Sequence, residues 1–205
     1  MSNPAPTILV IFGASGDLTA RKLAPAIFNL SKDNLLPENC FLIGVGRTPM
    51  QDSSFREYLK DSLEKYSRRV IQQVEWYKLE SQIFFHTGAY DDLDSFKILE
   101  EKILSLEKRL GKEAQCLFYI STPPNVFEPI LDNLGESGLA KKHYGTACSS
   151  KVIIEKPFGK DLESARKLNV VINQRFDESQ VFRIDHYLGK DCLLYTSPSP
   201  RDLRK

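Results

Sequence analysis

Five places in this 205-residue sequence carry groups able to do chemistry. The first is Gly13-Ala14-Ser15-Gly16-Asp17-Leu18, directly after the apolar run Thr7–Phe12. A glycine-rich turn between strand and helix lets the backbone approach a pyrophosphate, which rests on the N–H groups at the helix start. The spacing is G-x-x-G rather than G-x-G-x-x-G, so the general dinucleotide fingerprint is met in part, and a purely structural tight turn competes with it. The second is Arg47, which closes Gly44-Val45-Gly46-Arg47-Thr48. At the end of a second strand an acid would bond the ribose 2′-hydroxyl of NAD, whereas an arginine accommodates the 2′-phosphate of NADP. Arginine stands here and no acid does, which favours NADP over the plainer alternative of a solvated surface side chain.

Three further strand ends follow. Ser121-Thr122-Pro123-Pro124 makes a stiff loop, able to wall off a cofactor or simply to lead into a helix. Lys156, in Glu155-Lys156-Pro157-Phe158-Gly159, is held extended by the proline after it, and its ammonium can bind a phosphate or a polarised hydroxyl as a point charge. In Arg183-Ile184-Asp185-His186-Tyr187-Leu188-Gly189-Lys190, the side chains of His186, Tyr187 and Lys190 can all donate to a phosphate. Asp185 beside them is suited to orienting and charge-stabilising a catalytic imidazole.

The elements that must position these groups show in the hydropathy pattern. Thr7–Phe12, Cys40–Val45, Gln82–Thr87, Gln115–Ser121, Lys151–Glu155 and Gln180–Ile184 are short, β-branched-rich apolar runs, as for strands buried on both faces. Helical stripes lie between them: Phe55, Tyr58, Leu59, Leu63 and Tyr66; then Leu93, Phe96, Leu99, Ile103, Leu106 and Leu110, with Gly111 placed to end the helix. Leu162, Ala165, Leu168 and Ile172 form another, with Asp161 as its N-cap. Pro25 predicts a short turn after Gly16, a break near Leu23–Ala24 and a restart with Pro25 in the first turn. Strand–helix alternation of this kind predicts an α/β protein with a doubly wound parallel sheet.

Composition narrows the function. The chain is 41% hydrophobic and 27% charged, so it can bury a core, and 28 basic against 27 acidic residues give +1. A nucleic-acid binder would carry a basic excess, so no nucleic-acid partner is expected. Met1–Thr7 lacks a signal-peptide pattern and no apolar run approaches membrane length, so no membrane association and a cytoplasmic location are expected. Cys40, Cys116, Cys148 and Cys192 are isolated and His86 and His143 stand alone, so no metal site is expected and neither histidine takes a role.

In this order, the motifs resemble those of the glucose-6-phosphate dehydrogenase family: GASGDLTARKLAP at Gly13–Pro25, the Arg47 strand end, Tyr119 ahead of Pro123-Pro124, EKPFGKDL at Glu155–Leu162 and RIDHYLGK at Arg183–Lys190. The resemblance runs from about Thr7 to Asp191 and implies a Rossmann-type domain that passes a hydride from C1 of glucose 6-phosphate to NADP in the oxidative pentose phosphate pathway. By resemblance, the turn Gly13, Ala14, Ser15, Gly16, Asp17, Leu18, Thr19 and Ala20 cradles the pyrophosphate, Arg47 holds the 2′-phosphate and Tyr119 contacts the cofactor. Lys156 touches cofactor and sugar, Lys22 stands near the active site, His186, Tyr187 and Lys190 bind the substrate phosphate, and Asp185 pairs with the catalytic base.

The same resemblance sets expectations for the boundaries. Residues 1–185 are expected to form the NADP-binding domain, 186–191 to begin the substrate domain, and 192–205 to be a tail foreign to the family. The family's catalytic histidine lies in a second β+α domain beyond RIDHYLGK, and no histidine follows His186. The 205 residues alone are therefore expected to lack substantial dehydrogenase activity, since general-base assistance is commonly worth ~10²–10⁴-fold. Members of the family are homo-oligomers through that domain, which leaves the assembly of this chain open. Two other readings fit parts of the pattern: an NADP-dependent sugar oxidoreductase of the glucose–fructose oxidoreductase type, and a non-catalytic NADP-binding module.

Overall fold

The computed structural model describes residues 5–37, 39–141, 143–144, 147–148, 150–156, 158 and 161–184. Six strands pair in parallel into one sheet: β1 (Thr7–Phe12), β2 (Cys40–Gly46), β3 (Ile83–Thr87), β4 (Gln115–Ile120), β7 (Ser150–Glu155) and β8 (Val181–Ile184). Two-residue strands β5 (His143–Tyr144) and β6 (Ala147–Cys148) make a separate antiparallel pair. The large sheet runs β3-β2-β1-β4-β7-β8. Strand order therefore reverses between β1 and β4, and in open parallel sheets a crevice opens outside the carboxyl ends at such a point.

Two helical layers cover the sheet. On one face lie α1 (Ala24–Lys32), α2 (Asp52–Tyr66) and α3 (Gln73–Glu80), which bury Phe28, Phe55, Leu59, Leu63 and Trp76 against Ile11 and Leu42. On the other lie α4 (Leu93–Leu110), α5 (Phe127–Glu136) and α6 (Leu162–Arg175), which bury Phe96, Leu99, Ile103, Ile130, Leu134 and Ile172 against Ile8, Val10, Phe12 and Phe118. Successive β1 side chains serve opposite cores, which is why Thr7–Phe12 reads as an unbroken apolar run. Gly111 adopts φ 67° and ends α4 as expected, and the Asp161 carboxylate accepts the Ser164 N–H at 2.8 Å to cap α6.

The structure differs from the sequence expectation in three places. The break near Leu23–Ala24 is absent: both residues are right-handed helical, and the turn Thr19–Leu23 widens to π geometry, with the Ala24 N–H reaching Thr19 O. Pro25 lacks an N–H and its ring would crowd the carbonyl four residues back, so a locally wider turn admits it without ending the helix. Two helices appear that the sequence expectation did not include: α3 carries no clean stripe and starts on a capping box between Gln72 and Glu75, whereas α5 has one in Phe127, Ile130, Leu131 and Leu134, with Pro129 lying inside it. Leu162, counted in the α6 stripe, is 67% exposed; the stripe is half-buried at Ala165 and Leu168 and fully buried at Ile172, with α6 packed along α5.

Strand β3 is one edge of the sheet, and side chains close it. The Phe85 N–H donates to Asp52 Oδ1 at 2.6 Å, Lys102 Nζ donates to Phe85 O at 2.5 Å, and Arg56 Nε donates to Ile83 O at 3.0 Å. Lys102 also pairs with Asp52 at 3.4 Å. Backbone groups that would otherwise invite another strand are thereby occupied.

Candidate functional site

The site starts where β1 ends. Gly13 has φ 81°, and a Cβ there would lie 2.5 Å from Ser121 O and 3.0 Å from Thr122 Cγ2. Only glycine both takes that backbone conformation cheaply and leaves room for the β4 loop. The Gly13 N–H is shared between Val45 O and the Tyr90 hydroxyl, each at 3.0 Å. Its carbonyl accepts the Gly16 N–H at 2.9 Å and the Thr19 hydroxyl at 3.2 Å. The turn is thus tied to β2, to the loop after β3 and to its own helix.

Within Gly13–Ala20 the residues divide the work. Ala14, Thr19 and Ala20 are buried and hold the turn down; Ser15 and Asp17 are exposed at the mouth. The helical backbone begins at Asp17, so the first N–H groups of this helix have no acceptor within it. Asp17 itself is paired with Arg21 at 3.2 Å, an exposed pair that offsets the carboxylate locally and adds little to stability.

Around the turn stand the other strand ends. Arg47 leaves β2 into solvent, with its guanidinium 5.7 Å from the centroid of the Tyr90 ring. A Cβ on Gly46 would meet the Phe85 ring at 2.9 Å and Ser15 Oγ at 3.7 Å, so the glycine turn lies across the end of β2. After β4, Thr122 Oγ1 is buried without a hydrogen-bond partner among the described residues, in contact range of Gly13. Leaving such a hydroxyl unsatisfied costs about 1–3 kcal/mol, a cost that a ligand oxygen would remove.

Tyr119, near the end of β4, is half-buried and donates its hydroxyl to the Glu155 carboxylate at the end of β7. Burial and that carboxylate push its phenol well above the ordinary tyrosine range, so it stays protonated and serves as a donor. The bond joins the β4 and β7 ends and holds the strand from which Lys156 follows. The Lys156 N–H bonds Ile184 O at 3.2 Å, and its side chain is exposed. Lys22 is exposed on the π turn. The structure therefore gathers Gly13–Ala20, Arg47, Tyr119 and Lys156 at the carboxyl ends of four strands. Asp185, His186, Tyr187 and Lys190 lie outside the described residues, as do both expected boundaries, at 185/186 and 191/192. Among the described residues, no group of three or more His, Cys, Asp or Glu side chains could hold a metal, and no helix is long and apolar enough to cross a membrane.

Three residues escaped the sequence reading. Tyr90 and Asn133 carry no motif, and His86 took no role. The one signal for Tyr90 was position, two residues past Gly88 and just beyond a strand end. His86 is 6% exposed, with Nε2 3.1 Å from Ser95 Oγ. Burial, and then the Lys102 ammonium, hold its imidazole below the ordinary histidine value. The unfolded chain then takes up a proton that the folded chain resists, so stability falls as pH drops through about 6.5 and levels off below the folded value. Melting curves at about pH 7.5 and about pH 5.5 are expected to show a larger acid loss for the wild type than for His86→Gln. Equal losses would place the acid sensitivity in other groups.

A six-stranded sheet in the order 3-2-1-4-5-6, with a glycine turn at its switch point, defines a dinucleotide-binding domain. The glycine approach, the helix start and the orphaned Thr122 hydroxyl fit such a ligand. Residues 10–194 match the family model described as "Glucose-6-phosphate dehydrogenase, NAD binding domain". The chain belongs to the glucose-6-phosphate dehydrogenase family. It is 39% identical over 190 residues to glucose-6-phosphate 1-dehydrogenase of Chlamydia muridarum, covering 92% of this chain and 38% of that protein. With glucose-6-phosphate 1-dehydrogenase 2 of Mycobacterium bovis it shares 38% identity over 188 residues, covering 92% of this chain and 36% of the relative. Among solved structures, a glucose-6-phosphate dehydrogenase in complex with its substrate glucose-6-phosphate superposes with a TM-score of 0.79 at 33% identity, covering 93% of this chain and 39% of that one. Glucose-6-phosphate 1-dehydrogenase from Mycobacterium avium gives 0.78 at 29%, covering 91% and 37%. The chain thus spans less than two-fifths of the length of these relatives.

Proposed function

We propose that this chain is the NADP-binding part of a glucose-6-phosphate dehydrogenase. The observation that carries the proposal is the Gly13 turn at the switch point with Arg47 at the neighbouring β2 end, where no acid stands to claim a ribose 2′-hydroxyl. Bound NADP⁺ supplies the hydride acceptor: the C1–H pair of glucose 6-phosphate leaves as hydride, the C1 hydroxyl gives up its proton, and 6-phosphogluconolactone remains.

The roles of this chain's residues follow from placement and motif. Backbone N–H groups of Gly13–Ala20 hold the pyrophosphate, the arrangement a helix N-terminus favours for anions. Arg47 pairs with the 2′-phosphate in a charge-assisted, planar contact. Tyr119, fixed by Glu155, lines the nicotinamide end, where the Lys156 ammonium reaches cofactor and sugar oxygens and Lys22 lies close by. On the motif alone, His186, Tyr187 and Lys190 hold the substrate phosphate, and Asp185 orients the base that takes the C1 hydroxyl proton.

Calorimetric titration of the 205-residue chain with NADP⁺ and NAD⁺ tests the cofactor assignment. Arg47→Ala is expected to weaken NADP⁺ binding roughly 10- to 100-fold, the worth of a charge-assisted contact, while NAD⁺ binding stays level. An unchanged NADP⁺ affinity would remove Arg47 from the site.

A further inference from the structure

Tyr90 is held at both ends. Its side chain is 8% exposed, its hydroxyl accepts the Gly13 N–H at 3.0 Å, and its ring meets Phe12 edge-on at 6.1 Å and 73°. Its backbone carbonyl accepts Asn133 Nδ2 at 3.0 Å, and Asn133 is itself buried in α5. The Asn133 bond fixes the Tyr90 backbone, and the phenol cannot change rotamer without breaking its bond to Gly13 and the Phe12 contact. The Arg47 guanidinium lies 5.7 Å from the centroid of this ring, and among the described residues it has no carboxylate partner.

The consequence is geometric. An exposed arginine has many rotamers, and a ligand phosphate that must first collect it loses affinity to that ordering. A guanidinium resting on an immobile aromatic ring is already placed, and contacts of this kind favour arginine's flat, weakly hydrated cation. One side chain therefore joins the pyrophosphate turn, through Gly13, to the cation at the β2 end. We propose that Tyr90 is a specificity-determining residue of the dinucleotide site: its ring presets Arg47 for the 2′-phosphate, and its hydroxyl fixes the Gly13 turn. The proposal rests on Arg47 reading the 2′-phosphate.

The two halves of the role separate experimentally. Tyr90→Phe keeps the ring and removes the hydroxyl, so NADP⁺ and NAD⁺ affinities are expected to fall together, by about 3-fold, with their ratio preserved. Tyr90→Met keeps most of the volume and removes the ring, so the NADP⁺:NAD⁺ ratio is expected to fall about 3- to 5-fold. Adding Tyr90→Met to Arg47→Ala is expected to change that ratio no further, because the guanidinium it acts through is gone. All are measured by calorimetry on the full 205-residue chain, with thermal melts confirming the fold.

A ratio lowered by Arg47→Ala but untouched by Tyr90→Met overturns the role of Tyr90 and leaves that of Arg47 standing. A ratio untouched by Arg47→Ala, or a chain that binds neither dinucleotide, overturns both. Should Tyr90→Met fail to fold, Tyr90→Leu takes its place: a lowered NADP⁺:NAD⁺ ratio supports the proposal and an unmoved ratio overturns the role of the ring, while a Tyr90→Phe chain with wild-type affinity for both dinucleotides overturns the role of the hydroxyl.

Discussion

Gly13→Val is expected to cost at least about 3 kcal/mol of stability and to abolish dinucleotide binding in whatever protein still folds. Two penalties combine. A β-branched residue at φ 81° pays the left-handed penalty of roughly 1–2 kcal/mol or more. Its Cβ would also press on Ser121 O, and that atom belongs to backbone. The neighbouring loop cannot yield easily, since the Ser121 N–H is itself bonded to Phe12 O at 3.0 Å. Relief requires β1 and β4 to part at the switch point, which would open the close approach on which the proposed pyrophosphate contact depends. Urea unfolding and NADP⁺ titration measure the two effects separately. A wild-type midpoint together with wild-type affinity would mean that the turn tolerates a side chain.

Gln180→Leu is expected to destabilise the protein by about 3 kcal/mol without touching the crevice. Gln180 is 4% exposed just before β8. Its Nε2 donates to Ala140 O at 2.9 Å and Ser150 O at 2.7 Å, while its Oε1 accepts the Asp177 N–H at 2.8 Å. Leucine fills similar space and makes none of these three bonds, each worth about 1 kcal/mol to stability. For a chain of this size that corresponds to a melting point lower by roughly 6–12 °C. Cofactor affinity measured below the new transition is expected to stay within about 2-fold of wild type, because the lesion is remote from the crevice. A melting point unmoved by the substitution would show that water replaces the amide.

How legible such a network is depends on how its parts are spaced along the chain. Gln180 joins residues 30 and 40 positions away, and a lone glutamine at a strand entry has no pattern to betray it. The same holds for Tyr90, 77 residues from Gly13, and for Asp52 and Lys102, 50 apart, which close the β3 edge together. Strands β1 and β2 were legible because helices cover both of their faces and leave little room for polar side chains. Strands β4 and β7 alternate buried with half-buried residues, and apolar centres bounded by Gln115, Lys151 and Glu155 marked them instead. Helices α2 and α4 were legible because a sheet covers one stripe of each. Helix α5 has its stripe in Phe127, Ile130, Leu131 and Leu134, but it is short, follows two prolines and holds Pro129, a residue type that argues against a helix interior.

The motifs Gly13–Ala20, Arg47, Lys156 and Asp185–Lys190 are local: each rests on neighbours in the chain, and its chemistry can be read from a few letters. Family and cofactor class follow from them because backbone approach, charge and hydrogen-bonding capacity are properties of residue type. What brought Gly13–Ala20, Arg47 and Lys156 to one side of the sheet was decided by folding alone. Strand order reverses between β1 and β4, Tyr90 reaches back under Arg47 to Gly13, and Glu155 takes the Tyr119 hydroxyl. These are long-range contacts, set by which buried polar groups find partners once two cores close on one sheet, and no local pattern encodes them.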